Sequence, residues 1–172
     1  MKWICVIVIQ ALAFQAFGQD IRELDKRNGF KEYKIGLILT EIDPRKLEFI
    51  KELDKADSKL FKVKDIVIVE GLAGQIELAF YKDRLVEITL FFEKTTLDDY
   101  NHLKGGVESL FGKGKDDSSS KTKPSYLTDY DKIFAWKGAV MGLQLNYDVS
   151  HKVTEMVYWG LKEVTERSNE EL

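Results

Sequence analysis

Two histidines, His102 and His151, are the first residues to weigh for chemistry, because an imidazole changes charge near neutral pH. Each has a carboxylate close by in sequence, Asp98 before His102 and Asp148 before His151. A serine relay needs the fold to bring a histidine between a serine and a carboxylate. The patterns around both residues place them instead on the surface, His102 on a helix and His151 in a turn. Two isolated histidines also lack the close spacing of a zinc site. The single cysteine, Cys5, lies in an apolar N-terminal run that is expected to be removed, so thiol catalysis and disulfides go with it. Asp129 with Asp131 and the pair Asp116–Asp117 could meet a calcium ion weakly, yet they lack the alternating oxygen ligands and the glycine of a calcium loop. "GKGK" at 112–115 follows a helix, whereas a phosphate cradle opens one. These residues assign no catalytic group, no metal ligand and no cofactor.

Aromatic side chains are the remaining lead. Phe91 and Phe92 are consecutive on a predicted strand, so they point to opposite faces, and a buried Phe92 projects Phe91 from the other side. Tyr130, Phe134 and Trp136 share one parity, and Tyr158 takes the face opposite Val157 and Trp159. One set fills the core. The other forms an exposed strip, and Phe91, Tyr130 and Tyr158 are its expected partner-binding residues.

The elements that must position these residues follow from periodicity. Tyr33, Ile35, Leu37 and Leu39 alternate as in a strand with one buried face. Asp43 and Pro44 suit a helix start, and Leu47, Ile50 and Leu53 recur at helical spacing, which predicts a short helix over 44–55. Phe61, Val63, Val67 and Val69 share one strand parity, and Gly71 to Gly74 supply residues for a reversal. "QIELAFYK" and "LVEITLFFE" flank the short turn "KDR", with Ile76, Leu78, Phe80, Ile88, Leu90 and Phe92 set against the core. "TTLDDYNHLKGGVESLFGKG" predicts a helix capped by Thr96 and Asp99 and ended by Gly112. Gly105-Gly106 inside it is read as close packing or a kink rather than as a ligand site. Three further strands are expected in "YLTDYDKIFAWK", "AVMGLQLNYDV" and "KVTEMVYWGLK".

The whole predicts one α+β domain over 31–161, an antiparallel sheet of about six or seven strands in two helix-then-three-strand units, covered by two helices. Residues 19–30 are expected to be a flexible lead-in, 112–125 a flexible loop between the halves, and 162–172 a charged tail. Residues 1–18 have the order of a cleaved leader: Lys2, an apolar core from Trp3 to Phe14, then small Ala16 and Gly18 around Phe17. The apolar stretch is shorter than a membrane span requires and is interrupted by Gln10 and Gln15. Cleavage after Gly18 predicts a periplasmic or extracellular protein starting at Gln19, with no integral membrane span. The chain has 26 basic against 29 acidic side chains, and removing the leader takes Lys2 from the basic side. Such an acidic balance argues against nucleic acid as partner.

"NGFKEYKIGLILTEID", "IELAFYKDRLVEITLFF", "LFGKG" and "FAWKGAVMGLQLNY" together resemble the small secreted or envelope proteins of bacteria that are beta-lactamase-inhibitor-protein-like or small outer-membrane-lipoprotein (SmpA/OmlA)-like. The lipidated cysteine of the envelope lipoproteins is missing here. The resemblance implies helices set before short antiparallel meanders and a role in binding other proteins. The expectation is therefore a secreted, non-enzymatic module that docks a protein or envelope component through an open aromatic sheet face. Its alternative is a small-ligand binder or enzyme with a carboxylate/tyrosine site at the sheet edge.

Overall fold

The computed structural model describes residues 20–52, 57–118 and 130–162. The predicted leader, the segment 119–129 and most of the predicted tail lie outside the described residues. The fold is α+β, mostly antiparallel sheet with two helices. After helix α1 (Arg22–Arg27) and the short pair β1 (Gly29–Phe30) and β2 (Tyr33–Lys34) come β3 (Leu47–Glu52), β4 (Ser58–Val63), β5 (Val67–Val69), β6 (Leu72–Tyr81) and β7 (Arg84–Glu93). Helix α2 (Leu97–Phe111) then leads into β8 (Lys115–Asp116), β9 (Lys132–Lys137), β10 (Met141–Asp148) and β11 (Val153–Gly160). The main sheet has nine strands in the order β3-β4-β6-β7-β11-β10-β9-β8, with β5 added beside β6. Every pairing is antiparallel.

The long hairpins form where the sequence alternates. In β6 and β7, Ile76, Leu78, Ile88, Leu90 and Phe92 are almost fully buried on one face. The intervening turn uses Lys82 and Asp83, both at positive φ (49° and 58°), the backbone that two-residue hairpins require. On the same face β11 and β10 add Met156, Tyr158, Leu143 and Leu145, and β9 adds Trp136. Helix α2 covers this surface. Its capping box is formed as the sequence predicts: Thr96 Oγ1 accepts from the Asp99 N–H at 3.2 Å, and the Asp99 carboxylate accepts from the Thr96 N–H at 2.8 Å. Tyr100, Leu103, Val107 and Phe111 are its buried stripe, and the Tyr100 ring lies 5.5 Å from that of Tyr147 on β10.

Several expectations are corrected. Of the helix predicted over 44–55, the described residues 44–52 are not α-helical, and 53–55 lie outside the described residues. Asp43 caps a single 3-10 turn, Pro44–Lys46, accepting from the Arg45 N–H at 2.9 Å, after which the chain extends as β3. Leu47 and Phe49 pair with Val63 and Phe61, the register shifts at Ile50 before Lys51, and Ile50 is exposed where Leu47 is buried, while Leu53 lies outside the described residues. Phe49 then meets Phe61 edge-on at 5.5 Å, and Phe61 meets Phe80 at 5.6 Å, an aromatic ladder across three strands that outweighs the local helical pattern. The strand predicted from Tyr33 to Leu39 is only two residues long, because the chain turns at Gly36 (φ 87°) and continues by bonding to β7 through Gly36 N–H to Leu85 O at 2.7 Å. Gly74 is no turn residue but lies in β6, where a Cβ would approach the Phe92 ring at 2.6 Å.

The segment predicted as a flexible lead-in is partly ordered as α1. Leu24 is fully buried, and the Asp25 carboxylate accepts from the N–H groups of Ala139, Val140 and Met141 at 2.8, 3.0 and 2.9 Å. Gly138 is the residue that lets this carboxylate sit against the turn, since any Cβ there would overlap it. The predicted inter-half loop contains a two-residue strand, with Lys115 and Asp116 paired to Ala135 and Phe134. Both helices thus pack on one face of the sheet, and among the described residues the other face carries no helix.

Candidate functional site

The helix-free face is where strand alternation delivers the polar half of β6, β7, β10 and β11. One cross-strand row runs Gln75, Phe91, Glu155, Asn146 and Ile133, and a neighbouring row runs Lys62, Glu77, Thr89, Val157 and Gln144. Glu155 is at the centre and only 3% exposed. Its carboxylate accepts a hydrogen bond from the Tyr130 hydroxyl. Beside it the Gln144 amide donates to the Asn146 side-chain oxygen at 2.6 Å. Thr89 Oγ1 donates to Glu87 at 3.3 Å.

The electrostatics follow from burial. Loss of water raises the Glu155 carboxyl from its ordinary 4.5 to about 7, with the charges of Glu87 and Glu77 adding and the hydrogen bonds from Tyr130 and Asn146 opposing. Burial and the bond to Glu155 likewise push the Tyr130 hydroxyl upward. Glu77 is raised by burial despite Lys62 and Lys51 nearby. A carboxyl that keeps its proton into the neutral range can donate as well as accept, which suits it to share a proton with a polar visitor.

Beside this row lies an open groove of about 600 Å³, lined by Lys62, Ile66, Gln75, Glu77, Phe91 and Val153 among others. Phe91 is half-buried at its wall and is the cross-strand neighbour of Glu155. Farther along the same face, Trp159 packs against Gly142, where a Cβ would overlap the indole.

Phe91 and Tyr130 therefore come together around Glu155, which the sequence reading did not single out. The signal was present, since Glu155 alternates with Thr154 and Met156, but its depth depends on neighbours far along the chain. Tyr130 escapes the parity of Phe134 and Trp136 because it precedes the start of β9 at Lys132, which frees its ring to reach the other face. Tyr158 is corrected: it is not exposed but buried at 6%, on the helix-covered face, with its ring 6.1 Å from that of Phe30 and its hydroxyl donating to Met156 Sδ at 3.3 Å. Desolvation raises this hydroxyl.

The two histidines pair with carboxylates other than Glu155. His151 Nδ1 lies 2.6 Å from Asp148 and 3.1 Å from Ser150 Oγ, so one ring nitrogen faces both groups. A relay needs a separate nitrogen for each. The arrangement is a turn held by Asp148, which also accepts from the N–H groups of Ser150 and His151 at 2.9 and 3.0 Å. His102 Nε2 stands 3.3 Å from Glu70 at the surface. The Asp131 carboxylate accepts from the Val149 N–H at 2.7 Å, Asp116 accepts from the Ser118 N–H at 3.0 Å, and Asp129 lies outside the described residues. Among the described residues no three His, Cys, Asp or Glu side chains converge as a metal centre, and no helix is long and apolar enough to cross a membrane. The chain matches no family model, no curated protein and no solved structure.

Proposed function

We propose that this protein is a secreted, non-enzymatic binding module that docks a protein or envelope component through the helix-free face of its sheet. The observation that carries this reading is the groove beside Phe91, where an aromatic wall and Ile66 are framed by Lys62, Glu77 and Gln75. An apolar anchor inside a polar rim is the composition of protein-docking surfaces. The partner it fits is a polypeptide offering one apolar side chain to Phe91 and polar groups to the rim. The leader-like residues 1–18 and the resemblance to small secreted bacterial proteins support an extracytoplasmic location for that encounter.

A second reading rests on Glu155 and Tyr130. A carboxyl held near neutrality beside a tyrosine hydroxyl is also a set that a small polar ligand could enter. Here the set lies in the middle of the sheet, between β7 and β10, and not at its edge.

The test is affinity enrichment from envelope extract with the wild type, a Phe91→Ala/Tyr130→Ala variant and a Leu110→Ala control on the opposite face. Truncating a central anchor costs about 2 kcal/mol or more of binding. A partner retained by the control and lost by the double variant supports the reading. One recovered equally by all three folded proteins removes this face as the site.

A further inference from the structure

A second cavity lies on the other side of the sheet, between the end of α1, the β1–β2 hairpin and α2. It holds about 320 Å³. Its walls are apolar, with Phe30, Leu103, Val107, Phe111, Met156 and Tyr158 among the lining residues. Its remaining lining is basic in balance: Arg27, Lys31 and Lys34 against the single carboxylate of Glu70. Glu70 is already engaged, close to His102 Nε2 and packed over Gly106. Arg27 lies 5.7 Å from the centre of the Phe111 ring and 3.6 Å from Glu23, and Lys34 donates to the Arg27 carbonyl at 2.9 Å. Lys31 is exposed, its ammonium 5.6 Å from the centre of the Phe30 ring.

Inside the cavity one polar group is poorly served. The Tyr158 hydroxyl, in a side chain that is almost wholly buried, donates to a thioether sulfur, a weak acceptor. An oxygen brought into the cavity offers it a better one. Apolar walls, a hydroxyl donor and three cations define the complement: a chain or ring that prefers to leave water, carrying one negative head. At about 30 Å³ for each methylene-sized group, the volume takes about ten of them, which suits one chain and is too small for a two-chain phospholipid.

We infer that this cavity binds a free single-chain amphiphilic anion, such as a medium-chain alkyl carboxylate, with its tail against Leu103, Val107 and Met156 and its head toward Arg27, Lys31 and the Tyr158 hydroxyl. The site is independent of the groove beside Phe91, because the two lie on opposite faces of the sheet.

Calorimetric titration of the full chain with decanoate, decanol and decyltrimethylammonium, and flotation with phosphatidylglycerol vesicles, tests it. Decanoate should bind at one saturable site at least tenfold more tightly than decanol, with the cation not binding and the protein not floating. Replacing two exposed cations, Arg27→Gln with Lys31→Gln, should weaken decanoate tenfold or more and leave decanol unchanged. Tyr158→Phe, checked for an unaltered melting curve, should weaken decanoate several-fold. Absence of saturable decanoate binding, equal affinity for decanol, indifference to the charge variant, or flotation with the vesicles would each overturn the assignment.

Discussion

The Tyr100 hydroxyl is buried with no hydrogen-bond partner among the described residues, although its ring is well used against Tyr147. A lone buried hydroxyl gives up water and gains nothing in return. Tyr100→Phe keeps the ring and removes the cost, so the variant should be more stable than wild type by about 1 kcal/mol in urea unfolding. A loss of stability would mean that the hydroxyl has a partner. Gly74 makes the reverse point, since its missing Cβ is the space the Phe92 ring occupies. Parity reveals that Phe92 is buried; only the neighbouring strand reveals what must be small to let it in.

At the scale of elements, α1 has six residues and cannot hold itself together alone. It is pinned by Leu24 in the core and by Asp25 on the turn before β10. Burial works against the Asp25 charge, and the three amides more than compensate, holding its carboxyl below the ordinary 3.8. A depressed carboxyl stabilises the fold above its unfolded pKa, and that contribution is lost as pH falls through the folded value. Asp25→Ala should therefore cost about 1 to 2 kcal/mol at pH 7. Amide exchange at Ala139, Val140 and Met141 should quicken in the same variant, and unchanged exchange there would show that the clasp is not what holds α1. Helix α2 differs in kind, because its cap, its stripe and its terminal Gly112 are all local, and it forms where the sequence predicts.

For the whole molecule, the antiparallel sheet is a partition between a face under two helices and a face rich in polar groups. The second face creates an opposite pH dependence. Glu155 is raised in the folded chain from 4.5 to about 7, so the native state holds the proton more tightly than the unfolded chain does. Its contribution is fully present below about 4.5 and is lost as pH rises through about 7. A shift of this size is worth on the order of 3 kcal/mol. Unfolding midpoints measured from pH 4.5 to 8 should fall more steeply in the wild type than in Glu155→Gln, which keeps a hydrogen-bonding side chain without a charge to bury and leaves only the smaller contribution of Glu77. An equal fall in both proteins would assign the dependence elsewhere on that face, to Glu77. Asp25 and Asp148, both held low, change protonation at more acid pH and leave this window clear.

The sequence by itself determined what repeats at short range: the alternation of β6, β7, β10 and β11, the capped α2, the tight turns, and the α+β class that these compel. It also placed Phe91 opposite a buried Phe92, which needs only the two-residue period of a strand. Tertiary structure decided everything that depends on who lies across the sheet. Residues 47–52 of the predicted helix became β3 because Phe49 finds Phe61 on β4, a gain that no local spacing records. Tyr158 went under cover because Phe30, far back in the chain, packs on it. Glu155 acquired its neutral-range carboxyl from burial, with the charges of Glu87 and Glu77 adding, and these groups, scattered along the chain, meet only once β6, β7, β10 and β11 are paired. Burial and proton affinity are sums over spatial neighbours, so a linear pattern can name the residues of a face but not the environment they make together.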